Sequence, residues 1–100
     1  MILFEWDERK AEQNIRKHGV SFDVAKLVFL DPYALIEQDQ SEDAELRWRT
    51  MGMVGDMLIL FVAHTVQEHD QHEVVRIISG RRATRKERIR YEQNRKKYVG

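Results

Sequence analysis

The sequence contains no cysteine. Disulfide bonds, a thiolate metal centre and a cysteine nucleophile are therefore excluded, and a reducing compartment fits the composition. There is no apolar run near the roughly 20 residues that a membrane helix needs. The opening segment, Met1 to Asp7, also lacks the positively charged region that begins a signal peptide. These absences predict a cytoplasmic protein that does not engage a membrane.

Repeats, low-complexity segments, a glycine-rich phosphate loop and a nucleophile elbow are missing as well. The 100 residues predict one domain spanning positions 1–100. His69, Asp70 and His72 lie close together in the sequence. Because they lack the spacing and supporting ligands of a zinc site, a polar turn is the simpler interpretation. We therefore predict neither a metal nor a cofactor.

The charges sum to zero but are unevenly distributed. Residues 1–80 carry about 8 basic and 15 acidic side chains, roughly −7, whereas residues 81–100 carry about 9 and 2, roughly +7. This polarity suggests an anionic partner for the C-terminal region. The alternative is that the basic tail pairs with acidic residues elsewhere in the fold.

Hydrophobic patterning predicts an α+β domain of order β-α-α-β-β-β-β-α, with a twisted, largely antiparallel sheet packed against helices. Asp7 and Ser21 are typical N-cap residues of two helices, and Gly19 is a typical C-terminal stop for the first. Gly55 and Asp56 predict a tight hairpin turn. Helices are predicted from residue 8 to about 18, from 22 to about 29 and from about 85 to 98. Strands are predicted over residues 2–6, 33–36, 47–54, 57–66 and 74–78. Residues 38–45 are predicted to form a loop.

The stretch from Val74 to Tyr91 brings several cations together. Its β-branched start predicts a strand that contains Arg76 and ends at Ser79-Gly80. Thr84 and Glu87 then form a capping box that begins the last helix. The adjacent Arg81 and Arg82 therefore lie beside the free N–H groups of a helix N-terminus. Guanidinium groups and such N–H groups both bind phosphate.

Strand pairing predicts a row of side chains across three strands. With a two-residue turn at 55–56, Arg47 lies opposite His64. With a three-residue turn centred on Asp70, His64 lies opposite Arg76. The hypothesis is a row Arg47–His64–Arg76 with the later arginines just beyond it. A shift of one residue would move a member of the row to the other face.

Such a row suits cleavage of an RNA phosphodiester. Attack by the ribose 2′-OH needs a base, cations that stabilise the charge growing on the phosphate, and an acid for the leaving oxygen. Arg47, Arg76 and Arg81 offer forked, permanently charged donors. His64 can exchange a proton near neutral pH, and Glu73 is a second candidate base. A structural role for His64 is the alternative.

Three segments together resemble the BrnT family of toxins. The opening is similar from Phe4-Glu5-Trp6-Asp7 to Lys17-His18-Gly19-Val20-Ser21-Phe22, and Glu45–Gly52 resembles the central strand of these toxins. Arg76-Ile-Ile-Ser-Gly-Arg81-Arg82-Ala83-Thr84, with Glu87, Arg88 and Tyr91, resembles their closing signature. The likeness covers nearly the whole chain in the right order, which is far more specific than any single motif.

The resemblance implies a RelE-like fold and a ribonuclease that arrests translation by cutting RNA without a metal. It also implies a type II toxin–antitoxin partnership. In that family a BrnA antitoxin, a ribbon-helix-helix DNA-binding protein, neutralises the toxin. Operator DNA is bound only through the toxin–antitoxin complex.

The predicted site follows from the arginine pattern and the resemblance together. The predicted catalytic residues are Arg47, His64, Glu73, Arg76 and Arg81, and the predicted RNA-binding residues are Arg49, Arg82, Arg85 and Arg88. The chain departs from the family at Gly80, where alanine is usual, and at the turn 67–72, which is rich in histidine and acid. Two other interpretations are a binding module that acts without chemistry through its basic C-terminal region, and an antitoxin-docking role for residues 81–97.

Overall fold

The computed structural model describes residues 1–39 and 47–99. Its α+β class and its element order agree with the sequence prediction. Most of the loop predicted over 38–45 lies outside the described residues. The elements are β1 (Ile2–Glu5), α1 (Glu8–His18), α2 (Phe22–Ala25) with a 3₁₀ segment (Lys26–Leu30), β2 (Leu35–Asp39), β3 (Arg47–Val54), β4 (Leu58–His69), β5 (His72–Arg82) and α3 (Arg85–Val99).

Local capping signals set the first two helices as predicted. Asp7 Oδ1 accepts hydrogen bonds from Arg9 N at 2.8 Å and Lys10 N at 3.3 Å, and these bonds lower the pKa of the Asp7 carboxyl. Ser21 Oγ accepts from Val24 N at 3.1 Å. Gly19 ends α1 with a φ of 70°, a left-handed conformation that glycine adopts without a steric penalty.

The five strands form one sheet in the order β1-β5-β4-β3-β2, with β1 parallel to β5 and the other pairs antiparallel. β5 is longer than predicted, because it continues through Ser79 and Gly80 to Arg82. In the described ranges β1 pairs only with residues 73–76 of β5. Beyond that point, Asn14 Nδ2 donates to Gly80 O at 2.7 Å, and Gly80 N donates to Asn14 Oδ1 at 3.2 Å.

The sheet has two differently packed faces. On the first, α1, α2 and the 3₁₀ segment enclose the main core, which includes Phe22, Val28, Leu60, Val62 and Ile77. Side chains alternate between faces along each strand, so the intervening residues of β3, β4 and β5 lie on the second face. This second face carries the candidate site.

The helix α3 packs against one end of the second face. Its Tyr91 is buried together with Met51 and Ile59. The Tyr91 hydroxyl donates a hydrogen bond to Asp31, whose Oδ2 also accepts from Met53 N at 2.8 Å. Asp31 therefore ties the helix to the sheet, and the residues at 47 and 49 lie further along β3, beyond this contact.

Candidate functional site

The pairing of β3 with β4 differs by one residue from the prediction. Val54 pairs with Leu58, so the turn contains three residues, and Trp48 rather than Arg47 lies opposite His64. The β4–β5 turn also differs from the prediction: it contains two residues, Asp70 and Gln71, instead of three, so His64 pairs with Ile77 and Thr65 pairs with Arg76. The predicted row Arg47–His64–Arg76 is therefore wrong. The physical reason is an error of one residue in the length of each turn, because a one-residue slip moves a side chain to the other face.

His64 lies in the main core, on the face opposite the strand arginines. Its side chain is 1% exposed, its Nε2 lies 2.7 Å from Thr50 Oγ1, and its ring meets Phe29 edge-on at a centroid distance of 4.9 Å. Burial lowers the pKa of His64 to about 4, despite the opposing effect of the Thr65 carbonyl. A neutral, enclosed imidazole with these partners fits the structural interpretation of His64.

Four strand arginines share the second face of the sheet with Phe61 and Thr65. We call these six residues the arginine face: Arg47, Arg49, Phe61, Thr65, Arg76 and Arg81. Thr65 takes the place in the row that the sequence had given to His64, next to Arg76. One row along, Arg49 pairs with Ala63, and in the next row Phe61 pairs with both Met51 and Arg81. The structure thus brings Arg47, Arg76 and Arg81 to one face, as the hypothesis required, but without the histidine.

The ring of Phe61 lies close to the guanidinium groups of two arginines, Arg49 and Arg81. The guanidinium carbon of Arg81 lies 4.2 Å from the Phe61 ring centroid, and that of Arg49 lies 5.9 Å from it. Guanidinium groups at such distances are attracted by the negative face of the ring. The Nε of Arg49 is buried and has no hydrogen-bond partner among the described residues. Two forked cations therefore converge on a single aromatic ring.

Arg81 is held from its other side by the first turn of α3. Its Nη1 and Nη2 donate to Glu87 Oε1 at 2.8 Å and Oε2 at 3.0 Å. Glu87 is itself fixed by the predicted capping box, since Thr84 N donates to Glu87 Oε1 at 2.8 Å and Glu87 N donates to Thr84 Oγ1 at 3.2 Å. The bond to Arg81 is the main reason that the pKa of Glu87 falls to about 2. Glu87 therefore stays ionised and orients Arg81.

Arg76 belongs to a second group on the same face. It lies five residues before Arg81 on β5, roughly 15 Å along the strand. Its Nη1 is 3.5 Å from Glu5 Oε1 on β1, and both side chains are about half exposed, at 45% and 50%. Exposed pairs of this kind are weak, so phosphate can compete for the arginine. Arg47, opposite Asp39 on β2, lies on the other side of Thr65.

The remaining predicted site residues lie elsewhere. Glu73 is exposed near the far end of β5, eight residues from Arg81, or roughly 26 Å along the strand. Arg82 is exposed opposite Leu60, on the other face of the sheet from Arg81. Arg85 and Arg88 line a separate open groove between α3 and the β3–β4 turn. These four residues are not brought together with the strand arginines.

Two comparisons with known proteins find relatives of this chain. The sequence profile of the family described as ribonuclease toxin, BrnT, of type II toxin–antitoxin systems matches residues 6–87. The chain belongs to the BrnT toxin family. Among solved structures, the Brucella abortus ribonuclease toxin BrnT is similar, with a TM-score of 0.59 and 27% identity over 85% of this chain and 99% of that one. A comparison with curated proteins finds no match.

Membership of the BrnT family implies an RNA target and an antitoxin partner. The matched region contains the whole arginine face and ends at Glu87, the residue that orients Arg81. None of the helices within residues 1–39 and 47–99 has the length and apolar content that a bilayer crossing requires.

Sequence reasoning missed Phe61 and Thr65 as members of the site. The available signal was their spacing, because both lie an odd number of positions from His64 and therefore on the opposite face of β4. With the correct register, Phe61 falls directly beside Arg81 and Thr65 beside Arg76. The wrong length of the β4–β5 turn hid the pairing of Thr65 with Arg76, and the bulge at Ala63/His64 further shifted the pairing of Phe61 with Arg81.

Proposed function

We propose that this chain is an endoribonuclease that cuts RNA on its arginine face and thereby arrests translation. The observation that carries the proposal is the placement of Arg47, Arg49, Arg76 and Arg81 on one face of the sheet. Four cations in two groups, with a row of strand residues between them, suit a segment of single-stranded RNA. Phosphate contacts from arginine position such a strand, and an aromatic ring among them can contact a base.

In this proposal Arg49 and Arg81 stabilise the charge that develops on the scissile phosphate. The position of Arg81 is fixed before RNA binds, because its guanidinium already contacts the ring of Phe61 and the carboxylate of Glu87. Donors fixed in advance at the point where charge grows give the largest single contribution in many enzymes. Arg76 and Arg47 bind more distant phosphates of the same strand. Cleavage of this kind uses the 2′-OH as nucleophile and proceeds without a metal ion.

The proton transfers are not assigned to His64 or Glu73. His64 lies in the core behind the sheet, and Glu73 lies near the far end of β5. Glu5 is paired with Arg76, roughly 15 Å along the strand from Arg81, and is therefore too far from a phosphate held by Arg49 and Arg81 to accept a proton from the adjacent 2′-OH. Glu87 is a poor acceptor because its pKa is only about 2. The proposal therefore assigns an orienting function to Glu87 and no proton transfer to Glu5, His64 or Glu73.

The proposed biological setting is a single cytoplasmic domain over residues 1–100 with a BrnA-like, ribbon-helix-helix antitoxin. The type II family supports an antitoxin, and the basic α3 offers an exposed surface for an acidic segment of it. Operator DNA is bound through the complex rather than by this chain alone.

Two neighbouring arginines provide a matched test. Arg81→Ala removes a cation from the arginine face, whereas Arg82→Ala removes an exposed cation from the other face. Purified protein should cut single-stranded RNA in the presence of EDTA. Arg81→Ala should lower the cleavage rate about 100-fold or more, the usual effect of removing one charge-stabilising donor, and Arg82→Ala should stay near the parent rate. Equal effects of the two substitutions would contradict the site.

A second candidate is a nucleic-acid or protein binding module that acts through α3 without chemistry. The observation that favours it is the groove lined by Arg85, Arg88 and Lys96, which combines cations with the exposed Met57 and Ile89. This function predicts salt-sensitive binding of an anionic partner and no cleavage products. Charge reversal at Arg85 and Arg88 should abolish that binding and leave RNA cleavage intact if the first proposal holds.

A further inference from the structure

The β4–β5 hairpin ends in a pair of facing histidines. His69 is the last residue of β4 and His72 the first of β5, and they form the final pair of the ladder around Asp70 and Gln71. Their rings lie face to face, with centroids 5.5 Å apart and planes at 26°. His69 is exposed and His72 is partly exposed. The pair lies nine residues from Arg81 along β5, roughly 25–30 Å from the candidate ribonuclease site.

We propose that His69 and His72 form a two-histidine chelate for a borderline divalent transition-metal ion such as Zn²⁺, Ni²⁺ or Cu²⁺. Imidazole nitrogen is a preferred ligand for these ions. Side chains directly opposite each other on antiparallel strands have Cβ atoms about 4.5–5.5 Å apart, so both rings can reach one ion. Two imidazoles bound to a tetrahedral ion at about 2.0 Å have centroids roughly 5 Å apart. The separation of 5.5 Å is already close to that value.

Only one internal motion is needed to form the chelate. In the present arrangement the rings are stacked, so their nitrogens do not point to a common position. Rotation about the χ2 torsions turns the ring edges inward, and this torsion has a broad, shallow profile. The backbone is held by the ladder that ends at this pair. The ion therefore binds to a frame that is already in register.

The charges around the pair favour a cation. Glu68 and Glu73 lie directly opposite each other in the preceding pair of the ladder, and Asp70 lies in the turn. Facing like charges destabilise a sheet, and a divalent ion nearby offsets that repulsion. Since side chains alternate, the two glutamates lie on the other face from the histidines and act through space.

The site is open rather than closed. Within the described ranges, no group of three or more histidine, cysteine, aspartate or glutamate side chains is arranged to hold an ion. Water therefore fills the remaining coordination positions, and the affinity is lower than that of a four-ligand structural site. The site is also separate from the proposed RNA cleavage, which proceeds without a metal.

The test is calorimetric titration of the untagged protein with ZnCl₂ and, separately, NiCl₂. One ion should bind per chain, and His69→Gln and His72→Gln should each weaken binding about tenfold or more. His18→Gln is the matched control, because His18 ends α1 and lies outside the hairpin; it should leave binding unchanged. In NMR spectra Zn²⁺ should shift the ring signals of His69 and His72 and leave those of His18 and His64 in place.

Three results would overturn the chelate. The first is unchanged affinity in both hairpin variants, and the second is loss of binding in His18→Gln. The third is a stoichiometry of two ions per chain, with one lost in each hairpin variant, which would show independent histidines. Thermal unfolding of each variant without metal shows whether it is folded, and the NMR shifts of the parent protein decide the question even where a variant is not.

Discussion

The guanidinium of Arg81 lies over the ring of Phe61, with the guanidinium carbon 4.2 Å from the ring centroid, while both terminal nitrogens bind Glu87. The ring limits motion on one side and the carboxylate limits it on the other. Glu87 in turn is part of the cap of α3. The position of the Arg81 guanidinium thus depends on Phe61 in β4 and on Glu87 in α3. A change at the start of α3 would therefore also change the candidate site.

Replacing Phe61 tests this support. Phe61→Leu removes the ring face while keeping a residue that packs, so Arg49 and Arg81 lose a partner worth about 0.5–2 kcal/mol. We expect the kcat of RNA cleavage to fall roughly 2- to 30-fold, with a smaller change in KM. Phe61→Tyr should restore most of the rate because it keeps the ring. Met57→Leu, at a side chain that is 89% exposed, is the neutral control. A full rate in Phe61→Leu would rule out the positioning role.

The buried His64 predicts a loss of stability in mild acid. Its pKa is about 4 in the folded chain and 6.5 in an unfolded one, so the unfolded state binds the proton more readily. Stability is therefore fully present above pH 6.5 and declines as the pH falls toward 4, by at most about 1.4 kcal/mol per pH unit. Urea unfolding between pH 7.5 and 4.5 measures it. His64→Leu should flatten this part of the profile.

A substitution of His64 also distinguishes a structural role of this residue from a catalytic one. If His64 only fills the core, His64→Gln should retain RNA cleavage within a few-fold at a temperature where the variant is folded. A proton-transfer residue would instead lose about 100-fold or more. Circular dichroism at the assay temperature establishes the folded fraction. A cleavage rate that falls by much more than the folded fraction would indicate that His64 takes part in catalysis.

Two tyrosines provide a matched pair on α3. Tyr91→Phe removes the hydroxyl that binds Asp31, while Tyr98→Phe changes a side chain that is 70% exposed. Burial and the Asp31 carboxylate also raise the pKa of Tyr91, so the hydroxyl remains a donor at neutral pH. A hydrogen bond to a charged group contributes about 1.5–3 kcal/mol. Differential scanning calorimetry should show a lower Tm for Tyr91→Phe alone, and equal Tm values would contradict the link between α3 and Asp31.

Two glycines should differ in their tolerance of alanine. A Cβ at Gly52 would lie 2.8 Å from Val28 O and 2.9 Å from Val28 Cβ, whereas a Cβ at Gly80 would lie 3.1 Å from Ala25 Cβ. Overpacking of this kind costs about 1–3 kcal/mol where the neighbour cannot move. We expect Gly52→Ala to lower the free energy of unfolding strongly and Gly80→Ala to change it much less. The reverse order in urea unfolding would contradict the packing described for the two positions.

Local signals in the sequence were sufficient to predict the helices and strands and the residues that cap the helices. Asp7, Ser21, Gly19 and the Thr84–Glu87 box act as predicted because capping involves residues only two to four positions apart. The second helix was predicted as one unit to about residue 29. It instead tightens after Ala25 into the 3₁₀ segment, whose Val28 packs on Gly52, a contact between segments far apart in the chain.

The candidate site was predictable only in part. The strand arginines at alternate positions were recognised, but their neighbours depended on the lengths of two turns. Nothing in Gly55-Asp56-Met57 alone distinguishes two loop residues from three, and the same holds for the turn at Asp70-Gln71. These two turn lengths together placed His64 on the wrong face. The contact between Asn14 and Gly80 joins residues 66 positions apart, which no local pattern indicates.

That contact has a consequence for association between chains. Where β1 stops, an unprotected β5 would offer free peptide groups to any extended segment, a common route to edge-to-edge aggregation. The amide of Asn14 occupies both peptide groups of Gly80 and makes the bonds that a neighbouring strand would otherwise make. The side chain of Asn14 on α1 thus hinders a strand of another molecule from pairing with this edge of β5 at Gly80.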